Sequence, residues 1–299
     1  MRYIHLDDQA IAIGGTNLTS LSILESRIGD VQSISCGSLT IDFINNNLDK
    51  VWIIGNIMSL MQLNPAVADT LFSLTHFVKL EFDYNFCPYR GEVSHQVLGK
   101  CNCECPYGVT GVQQLARIYD LIIHNASHIF FMSERQRAVY STHLPLMNFD
   151  KTSILSSCFS TESLKKMEEF RSVSKNGKYA ILSGFGGWHS QAKGFEDAKS
   201  YCEINKIEYD ILPIQDHHQH LASLSQYSGI VFLPIIHDTC PRCIIEARLM
   251  GLGVVTNVNS QHTTESWWGL SIEELGSYLA KRPSYFWSVV DENCSPNTN

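Results

Sequence analysis

The chain alternates between short apolar runs rich in β-branched residues and longer stretches in which apolar residues recur every three or four positions. The first pattern reads as buried strand and the second as amphipathic helix. Residues 2–6, RYIHL, make a first strand, and the stretch after Gly14-Gly15 has helical spacing at Leu18, Leu21, Ile23 and Leu24. Val31–Cys36 and Lys50–Ile54 read as strands, with a connecting helix over Asn56–Leu63. HFVKLEFDYNF begins with strand alternation and ends in a polar loop around Asp83. A helix over Val112–Ile123 leads to a strand at His128–Met132; Ser133-Glu134 then caps another helix, and Lys151–Ser156 is a further strand. The polar stretch Glu162–Asn176 is expected to contain the linker. After it the pattern starts again, with strands at Lys178–Leu182, IEYDILP and Ile230–Ile236, a helix over CIIEARLMG that closes on Gly251, and a strand at Val254–Thr256. LAKRPSYFWSVV makes a last helix that packs back across the domain junction. Strands alternating with helices predict an α/β protein with parallel sheets.

Length and composition sharpen this. A chain of 299 residues suits two domains, here 1–160 and 175–285, with 286–299 as a C-terminal helix or tail. Hydrophobic content of 44% and charged content of 17% are globular values. No run approaches the length of a membrane span, so no transmembrane segment is expected, and MRYIHLDDQ lacks a signal-peptide apolar region, which predicts a cytoplasmic protein. A net charge of −8 argues against a protein that coats nucleic acid but leaves room for a local basic groove. Ten cysteines without an export signal read as thiols or metal ligands rather than disulfides.

The stretch Gly229–Asn257 carries the candidate chemistry. A strand runs into the polar turn His237–Arg242, a helix follows, and another strand follows that. In open parallel sheets ligands bind at that carboxyl edge. Asp238 lies in the loop and Glu246 eight residues on, inside the helix, whose first turn offers free N–H groups and a positive dipole end. Such a site suits a phosphorylated, hydroxyl-rich ligand. Gly14-Gly15 before the first helix, and Gly186 within GFGGWHSQAKG, permit close backbone approach to a ligand. Asp83 and Glu81 are cleft-facing candidates, with a turn-capping role for Asp83 as the alternative. In the insert 87–105, Cys87, Cys101, Cys103, Cys105 and His95 crowd together. The segment holds a structural zinc, with His95 able to replace one thiol, or it is a loop of free thiols. His217 and His220 share a helical face that His218 does not, and read as solvent or cleft-edge residues. Cys240-Pro-Arg-Cys243 has redox-type spacing, a minor reading beside the flanking acids.

Asp238, the intervening TCPRCII, Glu246-Ala247 and Gly251 together resemble the acidic motif of retaining glycosyltransferases of the GT-B fold, family four. The likeness is to a bacterial or phage-type member with a cysteine-rich insert. Asp238 stands where the family usually has Glu, Phe82-Asp83 where it often has His-Asp, and Trp188 where it has the Arg that grips the donor diphosphate with Lys193-Gly194. The resemblance implies two Rossmann-like domains facing a central cleft, and transfer of a sugar, by a hexosyl- or pentosyltransferase, from a nucleotide-diphosphate donor to a hydroxyl with retention. It implies that Glu246 holds the ribose, Asp238 meets donor sugar hydroxyls, and Lys193 stabilises the leaving diphosphate. It also implies that no catalytic metal is needed. Arg242, beside the motif, is our candidate for the missing second cation. The acceptor is a glycan, a lipid-linked group or a small molecule. The alternatives are a phage-type enzyme that glycosylates a DNA base, with nucleic acid as acceptor, and a non-catalytic glycan-binding protein.

Overall fold

The computed structural model describes residues 1–8, 14–74, 77–87, 89–99, 112–144, 146–184 and 186–294. In the N-terminal half, β1 (Tyr3–Asp7), β2 (Val31–Ser35), β3 (Val51–Ile54), β4 (Phe77–Glu81), β5 (His128–Phe131) and β6 (Thr152–Ile154) form one parallel sheet in the order β2-β1-β3-β4-β5-β6. β1, β3, β4 and β5 are buried along their whole length, as expected of strands covered by helices on both faces. In the C-terminal half, β7 (Tyr179–Leu182), β8 (Tyr209–Leu212), β9 (Gly229–Phe232) and β10 (Gly253–Thr256) form a second parallel sheet, ordered β10-β9-β7-β8. Strand order reverses at β1/β3 in the first sheet and at β7/β9 in the second. A crevice opens between the connecting loops at such a reversal.

Three elements differ from the sequence pattern. The helix expected over Asn56–Leu63 starts at Met58 and is followed at once by a second, Pro65–Phe72, because Asn64 caps the new helix and Pro65 suits its first turn. The stretch 162–176 is not an open linker. Thr161–Phe170 is a helix capped by Ser160, and it buries Met167, flanked by Leu164 and Phe170, in the C-terminal core. The chain crosses earlier, where Leu155 and Cys158 pack in the N-terminal core and the adjacent Phe159 in the C-terminal one.

The last helix, Arg282–Cys294, returns to the N-terminal sheet as its apolar pattern suggested. Phe286, Trp287, Val290 and Cys294 pack with Tyr3, Ile23, Val51 and Phe130. Trp287 Nε1 donates to the Ile23 carbonyl at 2.9 Å, and Arg27 pairs with Asp291 at 2.5 Å.

Candidate functional site

The carboxyl ends of both sheets open onto one cavity of about 930 Å³. From the first sheet it receives Asp7 and Asp8 at the end of β1, Asn56 after β3, and Phe82, Asp83 and Asn85 after β4. From the second it receives Ser183 and Gly184 after β7, Leu212–Gln215 at the end of β8, and the motif turn after β9. The helix starting at Gly15 meets that turn directly. A Cβ on Gly15 would lie 2.9 Å from the Cys240 carbonyl oxygen, so the glycine is what lets the two halves close there.

Asp238 is 8% exposed and lies in an isolated parallel bridge with Ser260. Its Oδ2 takes Lys193 Nζ at 2.5 Å, and its Oδ1 accepts from the Cys240 N–H at 3.3 Å. Lys193 precedes Gly194, which caps the helix Phe195–Asn205 at φ 70°. A Cβ there would strike the Leu233 carbonyl, so only glycine brings Lys193 this close to the end of β9. Burial works against the Lys193 charge, but Asp238 outweighs it and raises the pKa above the ordinary lysine value.

Glu246 is buried in the helix Arg242–Leu249. His217 Nε2 lies 2.9 Å from its Oε1, Arg242 Nε donates to the same oxygen at 3.2 Å, and His220 Nε2 stands 3.9 Å from Oε2. Burial alone would raise its pKa. The hydrogen bond from His217 and the charge of Arg242 prevail and hold it at about 2, so it is a carboxylate at neutral pH. Among the described residues Oε2 accepts no hydrogen bond.

Arg242 lines the cavity, yet it is 3% exposed and more engaged than a free diphosphate clamp would be. Nη1 donates to the Cys158 carbonyl and lies 3.5 Å from Thr19 Oγ1, and the guanidinium covers the Phe159 ring at 3.9 Å. It therefore ties the first helix, the crossover and the motif helix together. Nη2 has no hydrogen bond among the described residues.

Other expected site residues divide. Asp83 lines the cavity, paired with Arg90 at 3.1 Å, and burial pushes its carboxyl up against the opposing pull of that arginine. Glu81 does not reach the cavity. It points into the sheet interior with Lys79, both fully buried, and accepts from Asn85 and Tyr119 at 2.5 and 3.1 Å. Strand alternation puts Lys79 and Glu81 on one face of β4, and that face is core. Gly14 and Gly15 line the cavity, whereas Gly186 is exposed outside it, its place taken by Ser183, Gly184 and His189. Cys240 and Cys243 are unlinked thiols whose pKa values are pushed up by burial, the opposite of the lowered value that activates a redox cysteine.

Cys87 also lines the cavity, and its sulfur lies 2.9 Å from His95 Nε2. Cys101, Cys103 and Cys105 lie outside the described residues. Among the described residues no group of three or more His, Cys, Asp and Glu side chains is placed to hold a metal, and no helix is long and apolar enough to cross a membrane.

Sequence reasoning left His217 and His220 at a cleft edge, and the structure brings both onto Glu246. The signal was their spacing of three on one helical face; the partner, 29 residues downstream of His217, was not visible.

No protein-family model matches the chain, and no curated protein does. Solved structures do. The chain is similar to HepE from Anabaena, solved with UDP and glucose, at 14% identity and TM-score 0.51, covering 99% of this chain and 96% of that one. It is similar to sucrose-phosphate synthase from Thermosynechococcus elongatus, at 10% identity and TM-score 0.56, over 99% and 95% of the two chains. A UDP-forming α,α-trehalose-phosphate synthase from Burkholderia xenovorans aligns at 9% identity and TM-score 0.51, over 98% and 95%. At such identities the likeness is one of fold. With its two parallel sheets and the cavity between them, the chain has the α/β GT-B fold, two Rossmann-like domains facing a central cleft.

Proposed function

We propose that the protein is a glycosyltransferase that moves a sugar from a nucleoside-diphosphate donor to a hydroxyl acceptor with retention of anomeric configuration. The observation that carries this is the polarity of the cavity. Its C-terminal wall holds Arg242, His217 and His220 around Glu246, whose Oε2 is open, with the Lys193–Asp238 pair beside them, and its N-terminal wall holds Asp7, Asp8 and the Asp83–Arg90 pair. The first wall suits an anionic, hydroxyl-rich donor; the second suits hydroxyls and repels a nucleic-acid backbone. That the fold neighbours are described as UDP complexes and sugar-phosphate synthases supports the same reading.

In this reading Glu246 Oε2 accepts from the ribose, Lys193 and the unbonded Nη2 of Arg242 face the diphosphate, and Asp238, fixed by Lys193, meets sugar hydroxyls. Asp83 orients the acceptor from the other wall. Both aspartates are held by cations, which supports transfer without a protein nucleophile. The acceptor oxygen bonds to the anomeric carbon as the bond to the diphosphate breaks, and its proton passes to the leaving phosphate oxygen. Negative charge grows on that group, so the cations contribute most in the transition state. We also infer a structural zinc at the Cys87–His95 contact, completed from the cysteine run 101–105.

A thermal-shift and calorimetric screen of nucleoside diphosphates and their sugars, followed by turnover assays, tests the reading. Arg242→Ala should lower turnover by about 10²-fold, more than it weakens donor binding. Arg242→Lys should recover only part of the loss, because a point charge lacks the guanidinium fork. A panel in which no nucleotide binds and no sugar is released or transferred refutes the function. Unchanged turnover in Arg242→Ala would make the guanidinium purely a junction residue.

A further inference from the structure

The paired histidines on one turn of the helix His217–Leu224 have a role beyond lining the cavity. His217 and Arg242 both address Oε1 of Glu246, which leaves Oε2 as the acceptor open to a ligand. His220 Nε2 stands 3.9 Å from Oε2, too far for a direct hydrogen bond. That gap fits a third oxygen: a hydroxyl placed about 2.8 Å from both atoms makes two good hydrogen bonds at once. A hydroxyl donates and accepts, so the matching pair is a carboxylate oxygen on one side and an imidazole N–H on the other. Burial lowers the His220 pKa, which keeps the ring neutral near pH 7 with one N–H to give. The side chains of Glu246, His217 and His220 are 3%, 13% and 16% exposed, so water competes poorly for these bonds.

We propose that His220 and Glu246 bracket a single ribose hydroxyl of the donor, with His217 as the positioning residue that fixes the carboxylate, and that the site thereby selects ribonucleoside over deoxyribonucleoside diphosphates. This rests on the donor reading above. A site built to bond a hydroxyl discriminates strongly against the analogue lacking it, because its own buried groups are left unpaired.

Calorimetry with UDP, GDP and ADP, each beside its 2′-deoxy and 3′-deoxy forms, tests the proposal on the full-length protein and on His220→Phe and His220→Gln. For the nucleotide that binds tightest, one of the two deoxy forms should bind about tenfold or more weakly. His220→Phe should weaken the parent nucleotide by about tenfold while changing that deoxy form by less than about twofold. His220→Gln, which keeps an N–H donor, should restore part of the discrimination. Equal weakening of both forms by His220→Phe overturns the His220 role alone; equal affinity for ribo and deoxy forms overturns the proposal together with the Glu246–ribose contact, and leaves standing only that a nucleoside diphosphate is the donor. Failure of every nucleoside diphosphate to bind overturns both.

Discussion

At the scale of single residues, two ion pairs with different surroundings have different consequences. Lys193–Asp238 sits at the cavity, the lysine side chain 42% and the aspartate side chain 8% exposed, so the lysine can meet an incoming phosphate while it keeps its carboxylate. Lys79–Glu81 is fully buried, its lysine satisfied from within and Glu81 Oε2 left without a hydrogen bond among the described residues. Lys79 Nζ donates to the Gly55 and Leu80 carbonyls at 2.7 and 2.8 Å, lies 3.7 Å from Glu81 and faces the Tyr119 ring at 5.7 Å. Removing only the lysine strands a buried carboxylate. Lys79→Met should therefore cost about 3–5 kcal/mol in urea unfolding. Adding Glu81→Gln, which still accepts from Asn85 and Tyr119 but carries no charge, should recover more than half of that. A single variant as stable as the parent would show that Glu81 is already neutral in the folded protein.

At the scale of elements, short signals in the chain decide geometry that function then uses. Lys193-Gly194 is one unit: the left-handed glycine lets the backbone meet β9, and the lysine reaches Asp238 as a result. Ser271 with Glu274 closes a capping box that starts the helix Ile272–Ala280, and Asp216 caps the helix that carries His217 and His220. The segment after β4 sets Cys87 beside His95 at 2.9 Å. Purified without added metal, the protein should contain close to one zinc per chain by elemental analysis, and Cys87→Ser should lower both the zinc content and the melting temperature. Protein free of zinc, with its insert thiols all titratable, would sink that inference.

At the scale of the whole molecule, the two halves are bound at several points. Ser133 Oγ donates to Gln261 at 2.8 Å, the Glu134 N–H to Glu265 at 2.8 Å, and Trp267 Nε1 to Ser156 in the crossover at 3.1 Å. The C-terminal helix completes the N-terminal core, and Trp287 packs edge-on against Tyr3 at 4.8 Å. Trp287→Ala, though near the end of the chain, should thus destabilise the N-terminal half by about 3–5 kcal/mol. Hydrogen exchange in β1 and β3 should quicken accordingly; unchanged protection there would mean that the helix is not part of that core.

The sequence alone determined the alternation of strand and helix, the restart of the pattern in the second half, the returning last helix and the acidic motif, because these rest on local periodicity, caps and turn residues. Asp238 and Asp83 could be placed at strand ends, and Lys193 before a helix, for the same reason. Tertiary structure decided what each side chain meets. Glu81 went into the core because β4 is covered on both faces, which no period of two reveals. Arg242 became a junction residue because Cys158 and Phe159, 84 and 83 positions away in the chain, arrive beside it. His217 and His220 became partners of Glu246 only when the sheet order β10-β9-β7-β8 brought the segments after β8 and β9 to one edge. Contacts of that range are settled by packing, and packing has no local signature.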